Sequence, residues 1–487
     1  MSVSRYWVPG LMILLGGCAL GPDYERPEID TPASYIQPVE EGESFANMPW
    51  WGVLQDPQLQ ALIRVALKEN KDLGIATSRI EEFRAVLGVT RADQFPTVDL
   101  GARGNWGDYG DATSTPGIQE SYRLSADVFF EVDLFGKLRR ATEASRAQLL
   151  ATEEARRSVT ISLVANVAST YMFLRDMDAR LEIAQRTVKL RKDSLDIIQA
   201  RFDKGIVSRL DLNQAQIELA IAAVAVAAAR REVAQTENLL SILLGRNPGP
   251  IVRGLALKQQ IIPPAIPTGL PSELLLRRPD VLSSEARLAA QTALIGVAEA
   301  SRWPSLSLTG ALGFESSELS DLTASGSDFW NLGVDLLAPI FNAGRNSSRV
   351  EAERARTEQA LLAYQQTVQR AFREVEDALV AVRTYRDEYI ARQRQVAAAN
   401  NAAMLSRARY NGGVTSYLEV LVTEQSQFTA ELAESQTLRL YINAIIELYK
   451  ALGGGWVAPA EAADHDREDQ VVGESTVTNE SKTVSAD

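Results

Sequence analysis

Leu87-Gly88-Val89-Thr90-Arg91-Ala92-Asp93-Gln94-Phe95-Pro96-Thr97-Val98-Asp99-Leu100 returns later in the chain as Ile295-Gly296-Val297-Ala298-Glu299-Ala300-Ser301-Arg302-Trp303-Pro304-Ser305-Leu306-Ser307-Leu308. Each copy holds the end of an apolar-periodic helix, an aromatic–proline stop and the first residues of an alternating strand. A second pair, Arg201-Phe202-Asp203-Lys204-Gly205-Ile206-Val207-Ser208-Arg209-Leu210-Asp211 and Arg409-Tyr410-Asn411-Gly412-Gly413-Val414-Thr415-Ser416-Tyr417-Leu418-Glu419, lies at the same offset of about 208 residues. Gly136-Lys137 and Gly344-Arg345 share it. A register kept over so long a stretch marks a tandem repeat of one structural unit.

Each unit predicts a helix, two strands, a very long helix, a turn and a helix. The pattern divides the chain into an N-terminal signal at 1–17 and an extended segment at 18–57. Repeat 1 follows at 58–244, a Pro/Gly-rich linker at 245–271, repeat 2 at 272–456 and a polar tail at 457–487. Strands are expected at about 97–106 and 122–132, then at about 305–314 and 328–338. The long helices are expected at 136–204 and 344–411, with return helices at 209–244 and 417–452. One helix is expected from about Gln58 to Ala92. An uninterrupted run of about 65 residues extends roughly 100 Å at 1.5 Å per residue, a length that calls for coiled-coil-like packing.

The strands alternate. Tyr122, Leu124, Ala126, Val128, Phe130 and Val132 face one way, and Arg123, Ser125, Asp127, Glu131 and Asp133 face the other. Such segments, with aromatics toward their ends, suit a transmembrane β-barrel, although half-buried soluble hairpins alternate as well. Four strands cannot close a membrane barrel, and an open edge in lipid leaves backbone groups unsatisfied. If these strands span, two, three or four chains share one barrel of eight, twelve or sixteen strands.

Composition excludes much else. The 487 residues carry a net charge of −13, so no basic face dominates to neutralise nucleic-acid phosphates. With one Cys and one His, zinc sites, disulfide frameworks and His-dependent catalytic triads have almost nothing to work with. His465 lies in the polar tail, where eight acids face two basic residues and disorder is expected. No enzyme, metal or cofactor is predicted. At the other end, Arg5, the apolar run 8–15 and Leu15-Gly16-Gly17-Cys18 form a signal peptide too short to span a membrane. The tetrapeptide resembles a bacterial lipobox, which would make Cys18 the lipidated first residue; the alternative is a free cysteine closing an ordinary signal. Ala19, rather than Asp, follows Cys18, and the resemblance implies outer-membrane sorting. Several acyl chains would hold firmly where one binds reversibly.

Further motifs complete the pattern: Gly21-Pro22-Asp23-Tyr24 with Pro27, Trp50-Trp51 followed by Asp56-Pro57, and Arg277-Arg278-Pro279-Asp280 opening the second repeat. From Cys18 to about Trp456 the chain resembles the outer membrane factor family of TolC-like channels, in its lipoprotein branch serving drug efflux. The resemblance implies a mostly α fold with a β-barrel part: a homotrimer whose twelve-stranded barrel sits in the outer membrane and continues as a long periplasmic α-helical barrel. It also implies two partners, a periplasmic adaptor (membrane fusion) protein and an inner-membrane pump of the RND type. The same framework serves type I protein secretion; a lipid-anchored coiled-coil scaffold without a pore is the competitor from another class.

By the same resemblance the tunnel closes at the helix-turn-helix tips. Asp211 and Glu419, six residues past Gly205 and Gly413, would bring six carboxylates to one constriction in a trimer, favouring cations. Both also fit as first-turn acids stabilising a helix N-terminus. A second acidic position used by some members is Val422 here. Tyr410 matches a tyrosine that some members tie to the acid at the Asp211 position, or it packs opposite Phe202. Leu418 matches an apolar gate residue, or packs in a core. A basic partner known in some gates falls at Thr415. Ser208 and Ser416 read as helix N-caps, and Gly205-Ile206-Val207-Ser208 with Gly413-Val414-Thr415-Ser416 would meet the adaptor.

Overall fold

The computed structural model describes residues 19–37, 44–108, 118–262, 267–269 and 271–454. Cys18, the signal at 1–17 and the tail with His465 lie outside them. The elements in chain order are α1 (Trp50–Val53), α2 (Pro57–Glu69), α3 (Lys71–Ala92), β1 (Thr97–Asp108), β2 (Ile118–Val132), α4 (Lys137–Asp203) and α5 (Arg209–Leu243), followed by α6 (Leu274–Arg277), α7 (Pro279–Ala300), β3 (Ser305–Ser316), β4 (Asp328–Leu337), α8 (Arg345–Asn411) and α9 (Tyr417–Ala451). The two copies agree in length as a repeat demands: α4 and α8 have 67 residues each, α5 and α9 have 35 each.

The expected helix from Gln58 to Ala92 is two helices. Asn70 leaves helical geometry at ψ 132° and donates its side-chain amide to the Leu243 carbonyl at 2.9 Å, while its Oδ1 accepts from Leu73 N at 3.0 Å. A single side chain thus ends α2, starts α3 and ties both to the end of α5.

The chain forms two compact units that cut across both repeats. Of the described residues, one gathers those within Thr77–Glu154 and Leu282–Thr367 together with 19–29; it contains the sheet. The other gathers the described residues within Asp30–Ala76 and Ala155–Val281 together with 368–454. Its core is built from Leu59, Ile63, Val167, Tyr171, Leu240 and Leu448, all fully buried. Asp56 is only 1 % exposed there. It caps α2 by accepting from Gln58 N and Leu59 N, and takes further bonds from Tyr171 Oη (3.2 Å), Leu255 N (2.9 Å) and Gln260 Nε2 (3.0 Å). Burial pushes the Tyr171 phenol up to about 12, so it stays a donor.

Arg278 explains the Arg277-Arg278-Pro279-Asp280 motif. Its guanidinium binds Asp280 and Glu374, each at 2.7 Å, and donates to the last-turn carbonyl of Ala451 at 3.0 Å. Pro279 is the first residue of α7, where the missing N–H costs nothing.

The sheet is antiparallel in the order β1-β2-β3-β4. Leu100 pairs with Ala126, Ala126 with Leu312, and Leu312 with Trp330; a second row joins Val98, Val128, Gly310 and Leu332. Paired residues share a face, so one side of the sheet is a continuous apolar surface, and on it Leu332 is 81 % exposed. On the other side lie the rows Arg103–Arg123–Glu315 and Asp99–Asp127. β1 and β4 leave their outer edges unpaired among the described residues.

Candidate functional site

Both hairpin turns form by the same device. Gly205 (φ 71°) and Gly413 (φ 72°) adopt the left-handed conformation that ends α4 and α8. Gly205 N donates to Phe202 O and Ile206 N to Arg201 O; Gly413 N to Tyr410 O and Val414 N to Arg409 O. This is the double bond of a Schellman end, and a side chain at either glycine would strain it.

The helices that follow start differently. Ser208 caps α5 in a reciprocal box: Asp211 N donates to Ser208 Oγ at 3.2 Å, and Ser208 N and Oγ donate to Asp211 Oδ2 at 3.0 and 2.8 Å. Ser416 is the N-cap residue of α9, as expected, but its side chain makes no cap bond. There Glu419 accepts from Thr415 Oγ1 and pairs with Arg409 at 3.3 Å. The longer glutamate reaches a hydroxyl and a guanidinium that Asp211 does not. The base facing Glu419 is thus Arg409, on the neighbouring helix, rather than a residue at position 415.

Beneath the turns, Ile198, Leu212, Ala215, Tyr417, Val420 and Leu421 form a small second core, with Val207 and Tyr410 against its rim. Burial, helped by the nearby Glu424 carboxylate, pushes the Tyr417 phenol up to about 12. Tyr410 lies with its ring 5.5 Å from that of Tyr417, and its hydroxyl bonds neither Asp211 nor any other described residue. Arg201 sits 4.9 Å from the Tyr410 ring centre, and Arg209 sits 5.8 Å from that of Phe202. Leu418 is 54 % exposed and its repeat mate Leu210 64 %, both outside the apolar cores formed by the described residues. Ile206 and Val414 are exposed at the turn apices.

Farther along these helices, α4, α8 and α9 enclose a groove of about 430 Å³ lined by Arg186, Arg191, Met404, Arg407 and Phe428. Each arginine is neutralised: Arg186 by Glu431, Arg407 by Glu424, and Arg191 by Glu218 at 2.7 Å. Arg191 is almost wholly buried, and desolvation lowers its pKa against the opposing pull of Glu218.

In the unit that holds the sheet, Trp106 and Tyr122 meet edge-to-face at 5.5 Å at one end of the strands. Phe135 and Trp303 stack at 5.3 Å at the other. On the polar face Arg123 lies 3.7 Å from both Asp127 and Glu315, with its guanidinium 4.4 Å from the Phe329 ring centre. The chain directly after Cys18 is fastened beside β2: Leu20 N donates to Phe135 O at 3.1 Å, and Arg140 binds the Leu20 and Gly21 carbonyls and the Asp23 carboxylate. Among the described residues no three His, Cys, Asp or Glu side chains converge to hold a metal ion.

Sequence reasoning singled out the tip residues but missed Arg201 and Arg409. The signal available was their identity at the same repeat position, one turn before each tip glycine.

Comparison with known proteins agrees with this architecture. The model of the family described as outer membrane efflux protein matches twice, over residues 62–246 and 270–454, at the offset of the internal repeat. The chain is 35% identical over 452 residues to the cation efflux system protein CusC of Escherichia coli, covering 91% of this chain and 97% of that protein. It is 34% identical over 457 residues to the probable outer membrane lipoprotein SilC of Salmonella typhimurium, covering 92% and 97%. The open-state outer membrane channel MtrE of Neisseria gonorrhoeae superposes with a TM-score of 0.83 at 31% identity, over 90% of this chain and 98% of that one. The chain belongs to the outer membrane efflux protein family.

Proposed function

We propose that this protein is the outer-membrane exit duct of a tripartite efflux system, passing small molecules without changing them chemically. One observation carries the reading: a four-stranded sheet with one continuous apolar face, one charged face and two edges unpaired among the described residues. In lipid those edges need partners, and three chains placed edge to edge make a closed barrel of twelve strands. The apolar face then meets acyl chains, the aromatic pairs mark the two interfaces, and the charged face lines water.

The helical part supports the same oligomer. α5 is long and apolar enough to cross a membrane by composition, yet it carries the tip turn at one end. Its exposed stripe of Leu210, Ile217, Ile221 and Val224 is better covered by the helices of a neighbouring copy. Cys18 carries the lipid anchor, next to the segment that Arg140 fastens at the membrane end of α4. The long helices extend into the periplasm, where the turns Gly205–Ser208 and Gly413–Ser416 meet an adaptor protein that links the duct to an inner-membrane pump. Asp211 and Glu419 ring the closed end, with Leu418 as its apolar plug.

Planar-bilayer recording of the detergent-extracted protein tests this. The duct predicts discrete, cation-preferring openings of low probability. A protein that never conducts, in any orientation or voltage, belongs instead to the scaffold class.

A further inference from the structure

The two hairpin turns are repeat copies that differ at one chemical step. Around the second turn Glu419 holds Arg409 and Thr415. The matching positions in the first turn are Asp211, Arg201 and Val207. Aspartate is one methylene shorter and valine has no hydroxyl, so Asp211 folds back onto Ser208. Arg201 is left without a carboxylate partner among the described residues. Its guanidinium instead lies on the ring of Tyr410, 4.9 Å from the centre, across the gap from one hairpin to the other.

That ring is held in place from behind. Tyr410 packs against Tyr417, which is buried among Ile198, Leu212 and Leu421 of the small core joining the two hairpins. The Tyr410 hydroxyl has no hydrogen-bond partner among the described residues. Tyr410 thus meets the first hairpin through the face of its ring, beside the small core that also joins the two hairpins.

We propose that Arg201 seated on the Tyr410 ring is the latch that keeps the two hairpin turns together in the resting tip, with Tyr417 as the positioning residue behind it. The proposal rests on the turns being the closed end of the duct. Opening moves one hairpin relative to the other and must break this contact, whereas the Arg409–Glu419 pair, internal to the second hairpin, rides along intact.

Four variants test it in planar bilayers: Tyr410→Phe, Tyr410→Leu, Arg201→Gln and the Arg201→Gln/Tyr410→Leu double. Phenylalanine keeps the ring, so Tyr410→Phe is expected to leave the resting open fraction unchanged. Tyr410→Leu and Arg201→Gln are each expected to raise the open-to-closed ratio about two- to fivefold, the size of one partly exposed cation–π contact. The double is expected to match either single, because both remove the same contact. Tyr410→Phe opening the channel as much as Tyr410→Leu would assign the tie to the hydroxyl, and a silent Arg201→Gln would remove the latch; either overturns the proposal.

Backbone hydrogen exchange at residues 205–212 and 413–420, measured in detergent, needs no pore. The same ranking there with no conduction in any variant upholds the latch and rejects the duct. Equal exchange in all four variants and the parent rejects the latch whatever the currents show.

Discussion

Asp56 accepts five hydrogen bonds from three separate stretches of chain, two of them from the first turn of α2. Replacing it with Ala removes a helix cap and strands buried donors, so Asp56→Ala should cost about 3 kcal/mol. Chemical denaturation of the detergent-extracted protein measures this; a loss near zero would mean water replaces the carboxylate. The Asp56-Pro57 motif was visible in the sequence, but the partners from Tyr171 to Gln260 were not, since they come from residues over a hundred positions away. The tip acids teach the same lesson. Their alignment at one repeat position suggested equal roles, but Glu419 is paired with Arg409 while Asp211 meets no base among the described residues. Asp211→Ala is accordingly expected to remove more of the cation preference than Glu419→Ala, read as reversal potential across a salt gradient. The opposite order would show that the Arg409 pair opens in the working channel.

At the scale of elements, periodicity was enough for the strands and the long helices, because a period of two and an unbroken helical run each leave a local signature. Both 67-residue helices and both Schellman turns fall where the glycines predicted them. The break at Asn70 was not legible, because asparagine signals a cap only when a distant carbonyl, here that of Leu243, is present to receive its amide. The sheet's two faces yield a direct prediction. Leu332→Arg, on the apolar face, should cost about 2–4 kcal/mol if that face meets the bilayer centre, while Asn331→Arg, one residue away on the charged face, should cost little. Urea unfolding from lipid vesicles compares them; equal costs would place both faces in water. Which residues share the apolar face was readable from the alternation, but the rows that align Arg103 with Arg123 and Asp99 with Asp127 required the observed register.

For the whole molecule, the tandem repeat was legible and its assembly into compact units was not. Each unit takes pieces from both repeats, since the apolar surface of one copy is covered by the other, and no local pattern encodes that pairing. The need for further copies follows from the same physics one level up. Among the described residues the sheet keeps two unpaired edges and α5 keeps an exposed apolar stripe, and in the proposed trimer a second and third chain would satisfy both. The mass of the intact assembly, taken by native mass spectrometry after gentle detergent extraction, tests this most directly. Three chains per particle is the predicted result, matching twelve strands in one closed barrel. A particle of one chain that remains folded in lipid would contradict it, because its sheet would then be stable with both edges open.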